Sequence, residues 1–426
     1  MKLLTILSAA LGRDIYGRYA KAPFWKNLHV TELDSFFPAL TCPAQAAVRT
    51  GADVSVHGMG ASGFFSRELR KAFFWEQSSA LYSGDRIWKD FRAKGGKVAQ
   101  ICVQQCPGMD SDWYLSPAPI HKHHGGMIQD FFSAPPDLYQ SVCHDIRQKF
   151  NLMNYWGPMT NVKASAWIAK ATANVLRRMA SENDAYVLTY IPHLDYAPQR
   201  NGPESDETEE AFAEYEECLQ ILLDAAKKYG YEVQILGDYA ITQAENAVFP
   251  NRLLAEKGYL SLRNVKGMLY PNLHSSHAFA LVDHQICHVY VNDPEDIAPI
   301  CAIFEALPGV SCAIRRDNSP ELDHPRCGEV ILVAEEGSWF AYHWWDEDDQ
   351  APDYATHVDI HNKPGFDPME LFGAIWPPMS TPLDTSLLQG THGRPGQIIH
   401  ASTFTPDEDM HTFTGASLAV KDMLSR

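Results

Sequence analysis

The sequence predicts an α/β fold: a doubly wound, mainly parallel sheet flanked by helices, with a smaller α+β insertion. Three observations carry this prediction. Strand-like apolar runs alternate with amphipathic helical segments through most of the chain. The strand runs are apolar at nearly every position, as strands covered on both faces are. Between about 271 and 345 the alternation stops, and strand-like stretches follow one another around one helix. The boundaries drawn from this are a main α/β part over 1–270, an α+β insertion or cap over 271–345, and a return to the main part over 346–426.

The chain opens with MKLLTILSAALGRD. Its apolar run is about as short as a secretory leader allows, and it reads as a buried first strand. Pro43 and the Ala-rich residues behind it start a helix near residue 42, because proline suits a first turn. Thr41 then falls at or just before the N-cap. Residues 85–95 read as a helix stopped by Gly95-Gly96, and KVAQICVQ as the strand after it. Residues 163–183 space their apolar side chains helically and lead into the continuous run AYVLTYIP. Residues 207–229 form a second amphipathic helix, acidic at its start and with Lys227 and Lys228 in its last turn, a polarity that matches the helix dipole. Gly230 stops it, and EVQILGD is the next strand. In the insertion, HAFALVDHQICHVYV reads as a strand pair or one long strand and PEDIAPICAIFEAL as a helix. EVILVAEEGSWFAYHWW reads as a hairpin turning at Glu336-Gly337. The stretch from about 346 to 400 is rich in Pro and Gly and carries Thr391-His392-Gly393.

Composition removes several classes. With 45% apolar, 11% aromatic and only 21% charged residues, the chain can bury a core and is not a disordered polymer. Lys and Arg number 35 against 53 Asp and Glu, a net charge of −18. A nucleic-acid polymer is therefore excluded as the main partner, since neutralising its phosphates takes clustered basic side chains. No stretch approaches the ~18 apolar residues of a membrane span. The 9 cysteines are scattered and include no CxxC pair. Neither a zinc ribbon nor a thioredoxin-like motif is supported, and reduced thiols in the cytoplasm are expected.

Two kinds of residue could carry chemistry. Residues 38–51, PALTCPAQAAVRTG, place Thr41 at a helix start and are followed by His57-Gly58. Threonine caps helices often. A hydroxyl there can also attack phosphorus, with the free N–H groups of the first turn holding the phosphoryl oxygens. Asp195, in PHLDYAPQRNGP, follows AYVLTYIP, and Asp238, in GDY, follows EVQIL. Parallel sheets bind ligands at the carboxyl ends of their strands, so both acids can converge on a cation. Each alone is also an ordinary turn acid.

Together these segments resemble the nucleotide pyrophosphatase/phosphodiesterase branch of the alkaline phosphatase superfamily. PALTCPAQAAVRTG…HG is similar to that family's nucleophile segment. Asp195 through Gly202-Pro203 has the spacing of D-x-x-x-H…GP, Gly237-Asp238-Tyr239 stands at S-D-H-G, and Thr391-His392-Gly393 stands at the last metal-binding His-Gly. The four segments occur in order and span most of the chain. PHLDY, DYAIT, PNRLL, VDHQICHVYV and VDIHNKPGFDP further resemble a divergent bacterial subgroup. The resemblance implies a metal-dependent hydrolase that cleaves a phosphodiester or phosphoanhydride bond of a small metabolite or nucleotide. Thr41 matches the nucleophile. Two adjacent divalent ions are implied, zinc first, with manganese or iron as alternatives. Asp195 and His392 match ligands of one ion, and Asp238 a ligand of the other.

The chain departs from that pattern at named positions. The first-strand Asp of I-D-G falls in LSAAL, at Ala9 or a neighbour. The second His of D-x-x-x-H is Gln199, the His of D-H is Tyr239, and the Asn that helps hold the phosphoryl oxygens is Ala44. Gln is a neutral ligand, and Tyr coordinates only when ionised, with an unperturbed pKa of about 10. One ion or two is thus left open. Residues that could rebuild the site are Gln199 and Tyr239 themselves, Asp110 and Asp112 in MDSDWY, Asp283 and His284 in VDHQ, and Asp359 and His361 in VDIH. His121, His123 and His124 read as a solvated loop. The expected partner is a small phosphorylated molecule, with no membrane. The alternatives are a repurposed enzyme of the superfamily (a lyase, a transferase or a hydrolase of other bonds) and a non-catalytic binding protein on the same fold.

Overall fold

Leu3 and Leu7 of the first strand face one hydrophobic core, and Leu4 and Ile6 face another. A strand apolar on both faces is stable only where both are covered, so Lys2–Ser8 runs through the middle of the main sheet. The computed structural model describes every residue except 124–125, 375–379 and 408–409. The sheet has 8 strands in the order His29–Asp34, Gln397–Ser402, Glu232–Gly237, Lys2–Ser8, Ala185–Ile191, Lys97–Ile101, Trp113–Pro117 and Phe131–Ala134. The strands from Glu232–Gly237 to Trp113–Pro117 are mutually parallel. Gln397–Ser402 and Phe131–Ala134 run antiparallel to them. This is the doubly wound α/β architecture predicted above.

Helices cover both faces. Val162–Arg178 and Asp206–Tyr229 pack on each other over one core. Asn161 accepts from Lys163 N and Ser205 from Thr208 N, satisfying donors that a helix start leaves unpaired. Gly230, at φ 73°, closes the second helix in the left-handed region. Thr41–Thr50 and Phe413–Ser425 cover the other core.

Two local expectations are corrected. Residues 85–95 form only the short helix Lys89–Ala93. The preceding residues are spent on distant partners: Ile87 N donates to Arg49 O, Trp88 Nε1 to Asp110 O, and Arg86 reaches the Asp110 carboxylate. The hairpin expected at Glu336-Gly337 does not form either. Val330–Ala334 joins a 4-stranded antiparallel sheet with Ala278–Asp283, Ile286–Val291 and Val310–Arg315. Gly337–Phe340 instead pairs in parallel with Thr242–Val248, which also pairs with Gly390–Thr391. Trp339 is buried there against Ala244, Ala341, Met369 and Leu388. Burying one large apolar side chain is worth about 1.5–3 kcal/mol, more than local turn preference offers. HAFALVDHQICHVYV resolves as a strand pair whose turn holds His284 at φ 54°. PEDIAPICAIFEAL forms the helix Pro294–Glu305. No described helix is long and apolar enough to cross a membrane.

His57, beside the nucleophile-like segment, is fully buried. Its Nδ1 accepts from Met59 N at 3.1 Å, and its Nε2 has no partner among the described residues. Burial, with Arg49 and His324 adding to it, pushes its pKa down to about 3. The unfolded chain takes up this proton below ~6.5, whereas the folded chain resists until about 3. Stability from this group is therefore complete above the unfolded value and lost as pH falls through the window. His57→Gln keeps an acceptor for Met59 N. It is expected to flatten the dependence of unfolding free energy on pH between about 6 and 4, by up to about 1.4 kcal/mol per pH unit. Urea unfolding at a series of pH values checks this, and an unchanged slope contradicts it.

Candidate active site

Thr41 is the first residue of its helix, one step inside the position expected for it. Leu40 holds the N-cap and offers no side-chain acceptor, so Thr41 is not the capping residue. Its Oγ1 lies 3.4 Å from the Tyr239 hydroxyl. That hydroxyl donates to Asp195 Oδ1 at 2.8 Å. A phenol has one proton to give, so in this arrangement Thr41 donates to Tyr239.

The acids come from strand ends. Asp195 closes the single turn His193–Asp195 that follows Ala185–Ile191. Asp238 follows Glu232–Gly237 directly. Asp238 Oδ1 accepts from Ala10 N at 3.0 Å and from Tyr239 N at 2.8 Å, while Oδ2 is buried without a partner among the described residues. Gly237 permits this closeness: a Cβ there would stand 2.3 Å from Leu11 O. Gln199 lies on the helix Tyr196–Asn201, and neither of its buried amide atoms meets hydrogen-bond geometry.

His392 follows Gly390–Thr391, and its Nδ1 lies 2.8 Å from Ala39 O. A carbonyl only accepts, so Nδ1 carries the proton and Nε2 presents a lone pair. That Nε2 is 3.9 Å from Asp195 Oδ1. The Tyr239 ring lies flat on the His392 ring, with centroids 3.6 Å apart and planes 3° apart. His284 lies beyond His392 at 3.8 Å with its plane tilted by 37°, and Phe366 stacks on His284 at 4.0 Å.

Burial sets the electrostatics. It pushes the Asp195 carboxyl up to about 6, with Tyr239 and the nearby Gln199 pulling it partly back. It holds Asp238 well above the carboxylate range, with the Asp195 charge adding to the shift. Burial and the Asp195 charge likewise raise Tyr239, which keeps its phenolic proton. Burial lowers His392 to about 3, so its ring is neutral.

These residues do not fit a two-ion centre. Among the described residues, no three His, Cys, Asp or Glu side chains are grouped to hold an ion. Ala9 brings no donor, the Tyr239 oxygen stands between Thr41 and Asp195, and Asp238 spends one oxygen on two N–H groups. A single ion is a better match. The largely buried Asp195, the lone pair of His392 Nε2 and the buried amide of Gln199 are neighbours of the oxygen and nitrogen types that divalent metals accept.

The other candidates separate. His284 joins the ring stack, and its Nδ1 is 3.5 Å from Thr391 Oγ1. Asp283 turns to Ser62 N at 2.7 Å, its other oxygen has no partner among the described residues, and burial raises its carboxyl to about 7. Asp110 and Asp112 are not brought to the site. They pair with Arg86 at 2.6 Å and Arg92 at 3.1 Å, which neutralises them locally. Asp359 accepts from Asn362 in its own loop, and His361 Nδ1 lies 3.1 Å from Phe74 O. His121 belongs to a two-residue strand rather than a bare loop, and His124 lies outside the described residues. Sequence reasoning missed Phe366 and the charges behind it. Lys363 Nζ lies 2.7 Å from Asp367 and 2.9 Å from Glu370, all three buried. The spacing in KPGFDPME hinted at a pair, but Pro364-Gly365 argues against a helix there.

The doubly wound fold and the family match place the chain among the phosphodiesterase/pyrophosphatase-type hydrolases of the alkaline phosphatase superfamily. The chain belongs to the type I phosphodiesterase / nucleotide pyrophosphatase family, whose family model matches residues 21–367. The fold is similar to phosphonoacetate hydrolase from Sinorhizobium meliloti 1021, solved with phosphonoformate (TM-score 0.64, 13% identity, covering 100% of this chain and 96% of that one). It is also similar to murine ectonucleotide pyrophosphatase/phosphodiesterase 5 (TM-score 0.61, 14% identity, 100% and 95% covered), which has been solved with AMP in an inactive form. The human counterpart matches at 15% identity with the same TM-score and coverage. No curated protein matches the chain by sequence.

Proposed function

We propose that this chain hydrolyses a phosphodiester or phosphoanhydride bond of a small phosphorylated molecule, with Thr41 as the attacking group. The observation that carries this reading is the Thr41 hydroxyl, which leaves the helix cap to Leu40 and turns toward Tyr239 and Asp195. Two structural neighbours were solved with phosphonates and with AMP, ligands of the same chemical kind.

Thr41 Oγ1 forms the bond to phosphorus as the bond to the leaving oxygen breaks, and the phosphoryl group, with the substituent it keeps, is carried as an ester on Thr41. Water then attacks that phosphorus, returning the Thr41 hydroxyl and releasing the phosphate product. Pro43 has no N–H and Ala44 N already donates to Leu40 O, so the Thr41 and Cys42 N–H groups are the ones at this helix start that suit the phosphoryl oxygens. A divalent ion held by Asp195, Gln199 and His392, zinc before manganese or iron, would act as a Lewis acid toward a phosphoryl oxygen. The packed rings of Tyr239, His392, His284 and Phe366 keep the donors from swinging away. All 9 cysteines are free, which suits a reducing compartment such as the cytoplasm.

The test is a survey of bis-p-nitrophenyl phosphate and nucleotide p-nitrophenyl esters with added zinc or manganese, followed by mass spectrometry of quenched samples. Release of one nitrophenol with nitrophenyl-phosphoryl mass (bis-p-nitrophenyl phosphate) or nucleotidyl mass (nucleotide esters) on the Thr41 peptide is expected. Turnover with no adduct on Thr41 under rapid quench, or ligand binding without turnover, sinks the reading.

A further inference from the structure

We infer that the Tyr239 hydroxyl stands in place of the second metal ion: it excludes a cation from the Thr41 side of the site and itself receives the Thr41 proton. The relay part rests on the proposed attack by Thr41; the exclusion part does not.

Three observations carry the exclusion. The Tyr239 oxygen is 3.4 Å from Thr41 Oγ1 and is held there by donating to Asp195 Oδ1 at 2.8 Å, so it occupies the space beside Thr41 that a second ion touching Thr41 would need. The ring cannot easily swing aside, because it is fully buried and lies face to face on His392, with His284 packed at a tilt behind that ring and Phe366 stacked on His284. The remaining donors on that side are depleted. Ala9 and Ala10 are alanines, Ala10 contributes only a backbone N–H, and that N–H occupies Asp238 Oδ1.

The same geometry offers a proton path. As Thr41 Oγ1 bonds to phosphorus, its proton passes to the Tyr239 oxygen, and the Tyr239 proton passes to Asp195 Oδ1. Tyr239 ends the step as it began, a neutral phenol, and Asp195 ends it protonated on Oδ1, so an ion held by Asp195 would have to take its other carboxylate oxygen. The Asp195 proton is available to the departing oxygen or is returned when water cleaves the ester on Thr41. No oxidant or further reactant is needed.

Zinc titration of the wild-type chain and of Tyr239→Phe, followed by calorimetry and near-ultraviolet difference absorbance, tests the exclusion without turnover. No more than one zinc per chain and no tyrosinate band are expected for the wild type. Two tightly held zinc ions per chain, or a tyrosinate band that disappears in Tyr239→Phe, overturn it. The relay is tested by turnover of bis-p-nitrophenyl phosphate. Tyr239→Phe keeps the ring stack and should lose about 10²–10⁴-fold in kcat, with KM changed little. A Tyr239→Phe kcat within threefold of wild type, while Thr41→Ala is inactive, overturns the relay alone. Wild-type turnover by Thr41→Ala would instead overturn the attack by Thr41 and leave the zinc result to judge the exclusion.

Discussion

Thr41→Ala is expected to lower phosphoester turnover by at least about 10³-fold while leaving the fold intact. A residue that forms the covalent intermediate takes the whole chemical step with it when removed, and a thousandfold loss corresponds to about 4 kcal/mol of transition-state stabilisation. The structural cost is small by comparison. Thr41 caps nothing, its side-chain hydrogen bond to Tyr239 is 3.4 Å long, and Ala favours a helix more than Thr does. The change in unfolding free energy should stay within about 1 kcal/mol. Thr41→Ser restores a hydroxyl at the same place and should recover much of the rate. The measurements are kcat and KM on bis-p-nitrophenyl phosphate beside urea unfolding of the three proteins. Full activity in Thr41→Ala removes the proposed chemistry. Lost activity with lost folding in Thr41→Ala, and no recovery in Thr41→Ser, assigns Thr41 a structural role.

Lys363→Met is expected to destabilise the chain by about 3–5 kcal/mol, the usual cost of leaving a buried charge without its partner. The local sequence sets this up. Asp367 caps the short turn Pro368–Phe372 by accepting from Met369 N at 3.0 Å, and Glu370 follows in the same turn. Glu370 also accepts from Trp156 Nε1 at 2.6 Å and from Asp359 N at 2.9 Å. Both carboxylates therefore face inward, and Lys363 is the cation between them. Burial works against the ammonium, but Asp367 and Glu370 outweigh it and raise the Lys363 pKa, so it stays charged. Removing it leaves two buried acids facing each other. Phe366 lies inside this segment and stacks on His284, so the ring stack should loosen as well. Urea unfolding midpoints give the stability change. Pairing Lys363→Met with Glu370→Gln removes one stranded charge and should recover part of it. A single variant within about 0.5 kcal/mol of wild type would falsify the assignment of Lys363 as the organising cation.

Much of the fold was legible because it rests on local pattern. AYVLTYIP and EVQILG are apolar on both faces, and the helix at 206–229 carries its cap, its charge order and its Gly stop in adjacent residues. What failed locally failed for a tertiary reason. Residues 85–88 gave up their helix to Arg49 and Asp110, and Gly337–Phe340 left its hairpin because Trp339 found a buried place against Ala244. The site divides in the same way. Thr41, Asp195, Asp238 and His392 were marked by motif order, and Tyr239 and Gln199 by departure from it. Asp110 and Asp112 stood as possible replacement ligands, since nothing in MDSDWY reveals that Arg86 and Arg92 claim them.

By itself the sequence determined the strand and helix alternation, the family, and the residue types available for chemistry, because each is written in neighbouring positions or in motif order. Only the tertiary structure decided that the Tyr239 oxygen lies between Thr41 and Asp195, that its ring is clamped on His392, and that Lys363 holds two buried acids behind Phe366. Those facts are distances between residues far apart along the chain, and they exist only once the two cores have closed around the sheet.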